Sequence, residues 1–164
     1  MALALEDLKT LKHAEKIADT IWEIASKWSD FGRDTLGKQI TRATDSIGAN
    51  IAESFGRFNY GEKIQFLYYA RGSLFESKYW LNRAYARRLI SMSDYETLTI
   101  KLTETAKSIN RHVNSLKTYK QTPNTTHSAL REDAPPYTTA PNPDDVLIID
   151  IEDLHFLAEH ENNP

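Results

Sequence analysis

Between Leu36 and Arg57 the chain reads LGKQITRATDSIGANIAESFGR, and winding it at about 100° per residue separates three faces. Leu36, Ile40, Ala43, Ile47 and Ile51 form an apolar stripe with the spacing of a helix laid on a core. Arg42, Ser46, Asn50, Glu53 and Arg57 stack beside it as a ladder of charged and amide groups, in which opposite charges support one another. The third face carries Gly37, Thr41, Thr44, Gly48 and Ala52, side chains small enough for another backbone to come close. A glycine inside a helix costs roughly 1 kcal/mol relative to alanine, so a neighbour must offset it.

The same periodicity predicts three more helices. The first runs from about Glu6 to about Trp28 on Leu8, Leu11, Ala18, Ile21, Trp22, Ala25 and Trp28, and is punctuated by Ser29, Asp30, Phe31 and Gly32. The third, from Tyr60 to Leu89, follows a cap built from Asn59 and Glu62. Its residues Ile64, Leu67, Tyr68, Ala70, Leu74, Phe75, Tyr79, Leu81 and Ala84 cover more than half the circumference, and Phe66, Tyr69 and Trp80 lie on the rest. One bundle core does not bury that much, so the chain is expected to close around copies of itself. Ser93 and Glu96 suggest a capping box for a fourth helix, which continues through Tyr95, Leu98, Leu102, Thr105, Ile109, Val113 and Leu116 to about Tyr119. Helices joined by short connections predict an all-α fold, an antiparallel up-down four-helix bundle over residues 1–120.

After Lys120 the composition changes. Residues 121–145 are rich in Pro, Thr and Asn and nearly devoid of apolar side chains, the composition of a flexible linker. Residues 146–164 return to an acidic-hydrophobic pattern in which Leu147, Ile149, Ile151, Leu154 and Phe156 are candidate partner-docking residues at the end of a disordered tether.

Charge sharpens this division. The chain's net charge of −3 is the balance of a body, residues 1–120, at +5 and a tail, residues 121–164, at −8. Cysteine is absent, which removes disulfides, thiolate metal sites and cysteine nucleophiles and suits a reducing cytoplasm. The amino terminus lacks the basic start and apolar run of a signal peptide, and no segment approaches the roughly 20 apolar residues of a membrane span. The expectation is a cytoplasmic protein without a membrane partner.

Catalytic chemistry finds little support. A di-iron bundle needs Glu-x-x-His on two helices, but only Glu152 and His155 have that spacing, and they lie in the tail. His13 and His112 fall on different helices and read as surface or capping histidines. There is no phosphate-cradling glycine loop and no nucleophile elbow. No metal, no cofactor and no enzymatic activity are expected. What stands out instead is a basic set, Lys38, Arg42, Arg57, Lys63, Arg83, Arg87 and Arg88, interleaved with Phe58, Tyr60, Tyr69, Tyr79, Trp80 and Tyr85. Cations attract phosphates and aromatic faces stack on unpaired bases, so these are candidate RNA or DNA contacts. Arg83, Arg87 and Arg88 are foremost, because they crowd a helix end. A structural reading competes: Arg42, Glu53 and Arg57 neutralise one another, and Arg71 is buried beside Glu53 or Glu76.

The run QITRATDSIGANIAESFGR, followed by FLYYARGSLFES, resembles the bacterial four-helix-bundle family named for the 23S rRNA intervening-sequence protein. The resemblance spans roughly Leu8 to Leu116, with Gly48 where the family often has proline and Ser54 where it often has glycine. It carries over Arg42, Asn50, Glu53, Gly56, Arg57, Arg71, Ser73 and Glu76 as motif residues, chiefly of fold and interface. Relatives of that family include the accessory variability determinant proteins of diversity-generating retroelements. The resemblance therefore implies a homopentamer that binds nucleic acid and partners a reverse transcriptase. An alternative expectation is an interaction adaptor that oligomerises through the bundle and recruits a protein through residues 146–158.

Overall fold

The computed structural model describes residues 8–121, most of which are helical. Helix α1 spans Lys9–Ala25, and Asp30–Gly32 opens the next rod as α2. Arg33–Gly37 is a π turn that passes without a break into α3, Lys38–Gly56. Helix α4 spans Tyr60–Ala86 and α5 spans Met92–Gln121. With α2, the π turn and α3 taken as one rod, the result is the expected all-α bundle of four helices.

Apolar periodicity places the core. Ile17 and Ile21 of α1, Ile40, Ile47 and Ile51 of α3, Leu67, Leu74 and Leu81 of α4, and Leu98, Leu102 and Ile109 of α5 are almost wholly shielded and form one cluster. Each such side chain contributes about 1.5–3 kcal/mol when removed from water. The small-residue face of α3 meets α1 of the same chain: a Cβ on Gly48 would stand 3.7 Å from Leu11 Cδ1 and 4.0 Å from Ala14 Cβ. The close neighbour at Gly48 is thus α1, whereas a Cβ on Gly37 would meet the Gly32 carbonyl oxygen at 3.4 Å and Trp28 at 3.7 Å.

Several boundaries differ from expectation. Helix α1 ends at Ala25 rather than Trp28, because Ser29 accepts a hydrogen bond from the Gly32 N–H at 3.3 Å and starts the following rod. The expected start at Glu6 lies outside the described residues. The π turn was not foreseen; in it the Lys38 N–H reaches back five residues to the Arg33 carbonyl. Asn59 precedes α4 in extended geometry but makes no side-chain cap. Two overlapping Ser-x-x-acid pairs compete to start α5, and the upstream one wins. Ser91, not Ser93, accepts from the Asp94 N–H at 3.1 Å and donates to its carboxylate at 2.7 Å. That register turns Tyr95 inward, where its hydroxyl donates to Asn82 Oδ1 at 2.9 Å.

Helix α4 ends at Ala86 instead of Leu89, and the stop is unusual. Arg88 takes a left-handed φ of 57° while its N–H bonds the Tyr85 carbonyl at 2.9 Å. The Leu89 N–H bonds the Ala84 carbonyl at 2.9 Å, completing the paired hydrogen bonds of a Schellman cap. Glycine is the usual residue at that position; here it is arginine.

Candidate nucleic-acid interface

The basic residues singled out by the sequence are divided by the fold. Lys63 is at the start of α4 and Arg87 just past its end, about 36 Å apart at 1.5 Å per residue. Arg57 joins Lys63 at one end of the bundle. Arg83, Arg87 and Arg88 gather at the other, where a Cβ on Gly32 would meet Leu89 Cδ2 at 3.6 Å. Arg87 and Arg88 are exposed, with the Arg88 side chain projecting from the left-handed cap.

Lys38 and Arg42 line a groove of about 610 Å³ between α1 and α3, together with Trp22, Ala25, Arg33 and Thr41. Trp22, expected on the core stripe, is 64% exposed beside this groove. Its cations are partly committed. Lys38 pairs with Asp34 at 3.0 Å, Arg33 with Asp30 at 2.6 Å, and Arg42 donates to Gln39 Oε1 at 2.9 Å. Exposed pairs of this kind are weak, because water screens them and two long side chains must be held in place, so they yield readily to a phosphate. Farther along the α1–α3 side, a second hollow of about 340 Å³ holds Asp19 and Asp45. Burial, and then the Asp19 charge, push the Asp45 carboxyl above its ordinary 3.8.

The polar ladder on α3 is bonded mostly within itself. Ser46 donates to the Arg42 carbonyl at 2.7 Å, Asn50 to the Ser46 carbonyl at 2.8 Å, and Arg57 forms an ion pair with Glu53. Arg57 also lies over the Phe66 ring, 4.5 Å from its centroid. Of the motif residues, Asn50 and Ser73 approach across α3 and α4 at 3.5 Å. Glu76 accepts from Trp80 Nε1 at 3.3 Å, and Gly56 is exposed. Arg71 does not pair with Glu53 or Glu76. It crosses to α5, where its Nη1 donates to Asn110 Oδ1 at 3.4 Å.

That crossing exposes a basic cluster that sequence reasoning missed. Along the α4–α5 seam the Tyr68 ring is approached by the Arg71 guanidinium at 5.7 Å and the Lys117 ammonium at 5.9 Å. Farther up the seam, Lys78 reaches Thr103 Oγ1 at 3.0 Å. At the lower end, burial and then the Lys63 charge hold His112 below its ordinary 6.5. The only sequence signal was the spacing of Tyr68 and Arg71; nothing linked either to Lys117.

Other chemistry is sparse. Among the described residues no group of three or more His, Cys, Asp or Glu side chains gathers as a metal site, and no helix is long and apolar enough to cross a membrane. The docking candidates Leu147, Ile149, Ile151, Leu154 and Phe156 lie outside the described residues.

A family model described as 23S rRNA-intervening sequence protein matches residues 6–111. A solved structure from Bacteroides thetaiotaomicron VPI-5482, a protein of unknown function from the S23 ribosomal protein family, superposes with a TM-score of 0.58 at 24% identity. The match covers 63% of this chain and 97% of that one, and it speaks to the fold alone. No curated protein matches the chain significantly.

Proposed function

The chain belongs to the 23S rRNA-intervening sequence protein family, and from that membership we propose that it is an oligomeric, non-enzymatic accessory protein that binds RNA or DNA in the cytoplasm. The observation that carries this reading is Arg88. A left-handed φ of 57° costs a side-chain-bearing residue about 1–2 kcal/mol, and glycine would remove that cost. Backbone strain of this sort collects at functional positions. An arginine kept there, beside exposed Arg87 and one turn from Arg83, places three cations at one helix end where they suit a polyanion.

Self-association is supported by apolar surface left exposed among the described residues. Phe58 is 98% exposed, Phe31 81% and Tyr79 56%. Gly72, midway along α4 between exposed Tyr69 and Tyr79, has nothing within 4 Å of where a Cβ would be. Its cost of roughly 1 kcal/mol therefore finds no offset among the described residues, and a neighbouring copy passing close over α4 would supply one. A homopentamer presenting repeated arginine clusters would gain avidity for one polymer. The service we infer is to a reverse transcriptase or to an rRNA.

Fluorescence anisotropy with a labelled single-stranded RNA and the matching DNA duplex, over a series of salt concentrations, tests the reading. Binding should weaken steeply with salt, and replacing Arg83, Arg87 and Arg88 together with glutamine should lower both affinity and salt slope. Salt-indifferent binding, or none to either probe, sinks it. Sedimentation at micromolar concentration should show an assembly, and a stable single chain would remove the oligomeric part.

A further inference from the structure

The seam between α4 and α5 joins residues far apart in sequence into a compact group of donors. Arg71 and Lys117 approach one tyrosine ring, Tyr68, at 5.7 and 5.9 Å. Neither cation makes an ion pair with a described residue. The hydrogen bond from Arg71 to Asn110 is long, at 3.4 Å, and engages the Asn110 carbonyl oxygen, leaving the amide NH2 as a further donor in the same place. Arg71 is half-buried, so its charge is screened less than one in open solvent.

The helical registers explain why the seam stays positive. Residues of α4 that reach α5 here are Tyr68, Arg71, Lys78 and Asn82, and those of α5 that meet them are Lys117, Asn110, Thr103 and Tyr95. No carboxylate falls in either series; Glu76 of α4 instead accepts from Trp80. A ring beneath two cations fixes their positions while leaving N–H groups directed outward. Such an arrangement suits a tetrahedral oxyanion, which accepts charge-assisted hydrogen bonds from several directions.

We propose that the α4–α5 seam at Tyr68, Arg71, Asn110 and Lys117 is a phosphate-binding cradle. In the setting of the nucleic-acid reading above, on which the choice of ligand rests, the phosphate is a backbone phosphodiester. The cradle reads phosphate rather than base, because the two cations occupy the ring that would otherwise serve for stacking. Its contribution is therefore independent of sequence, and it lies on a part of α4 distinct from the Arg83–Arg88 end. Strand and helix end are engaged separately.

The test uses the full chain and two probes, inorganic pyrophosphate and a labelled 20-nucleotide single-stranded RNA of mixed sequence. In heteronuclear NMR, pyrophosphate should shift the Arg71 Nε–H and Lys117 signals saturably. Arg71→Gln with Lys117→Gln should abolish that response, weaken RNA binding roughly tenfold at moderate salt and reduce the salt slope by about 1.4, two single-strand contacts. Asn110→Asp, which keeps both cations and the side-chain shape, should weaken binding in the same direction by placing a carboxylate beside Arg71, and so guards against misfolding of the double variant. Absence of a pyrophosphate response together with unchanged RNA affinity in both variants overturns the cradle but leaves nucleic-acid binding standing. A saturable pyrophosphate response without RNA binding keeps the cradle as a site for small phosphate compounds and overturns the nucleic-acid reading.

Discussion

Ser54, buried near the end of α3, donates its hydroxyl to the main-chain carbonyl of Lys63 at 2.8 Å. The bond crosses the turn between α3 and α4 and ties the first turn of one helix to the last of the other. Removing a donor of this kind costs about 1 kcal/mol. Ser54→Ala should lower stability by that amount in urea unfolding. Ser54→Gly should cost roughly 1 kcal/mol more through the weaker helix propensity of glycine. Equal stability of all three forms would show that the bond contributes nothing.

Arg88→Gly separates stability from binding. Releasing the left-handed φ of 57° should stabilise the chain by about 1 kcal/mol, seen as a higher urea midpoint at unchanged slope. The same variant should bind nucleic acid more weakly, with a salt slope smaller by about 0.7–0.9. A variant both more stable and equally tight would leave Arg88 without a role in binding.

Gly72 tests the exposed face of α4. Among the described residues nothing within 4 Å opposes a side chain there, so Gly72→Leu should keep or raise helicity by circular dichroism. Sedimentation should nevertheless move toward single chains, because leucine bulk holds off an approaching copy. Unaltered assembly would place the interface elsewhere.

His112 gives the fold a dependence on mildly acidic pH. Burial, aided by Lys63, keeps its folded pKa below the ordinary 6.5, so the unfolded chain takes up a proton first as pH falls. The stability that neutral His112 contributes is complete above about pH 6.5 and is lost as pH falls through the lower folded value. His112→Gln should flatten this part of the stability profile. Parallel profiles for variant and parent between pH 7.5 and 5 would contradict the assignment.

Asp45 has the opposite sign. Burial and Asp19 raise its folded pKa above 3.8, so the protonated form favours folding and the carboxylate at neutral pH opposes it. Asp45→Asn should stabilise the chain at pH 7, within the roughly 0.2–1 kcal/mol scale of a surface charge pair, and the difference should vanish below about pH 3.8.

The bundle was legible in the sequence because burial follows the helical period. Ile40, Ile47 and Ile51 share a stripe, and that stripe is the core. Boundaries were less legible where two local signals competed, as with Ser91 and Ser93, since only the tertiary pocket for Tyr95 decides between them. The π turn and the left-handed Arg88 leave no composition mark. Trp22 obeyed the period and is still exposed, because the neighbouring helix faces there are small and leave a groove. The seam of Tyr68, Arg71 and Lys117 depends on an antiparallel register between helices, which no spacing within one helix encodes.

The separation of Lys63 from Arg87 has a further consequence. About 36 Å is close to the pitch of B-form DNA, roughly 10 base pairs per turn. A duplex lying along the bundle would offer the same groove edge to both of its ends, and a fragment much shorter than one turn would reach only one. Affinity should therefore rise in a step, rather than smoothly, as duplex length passes that threshold.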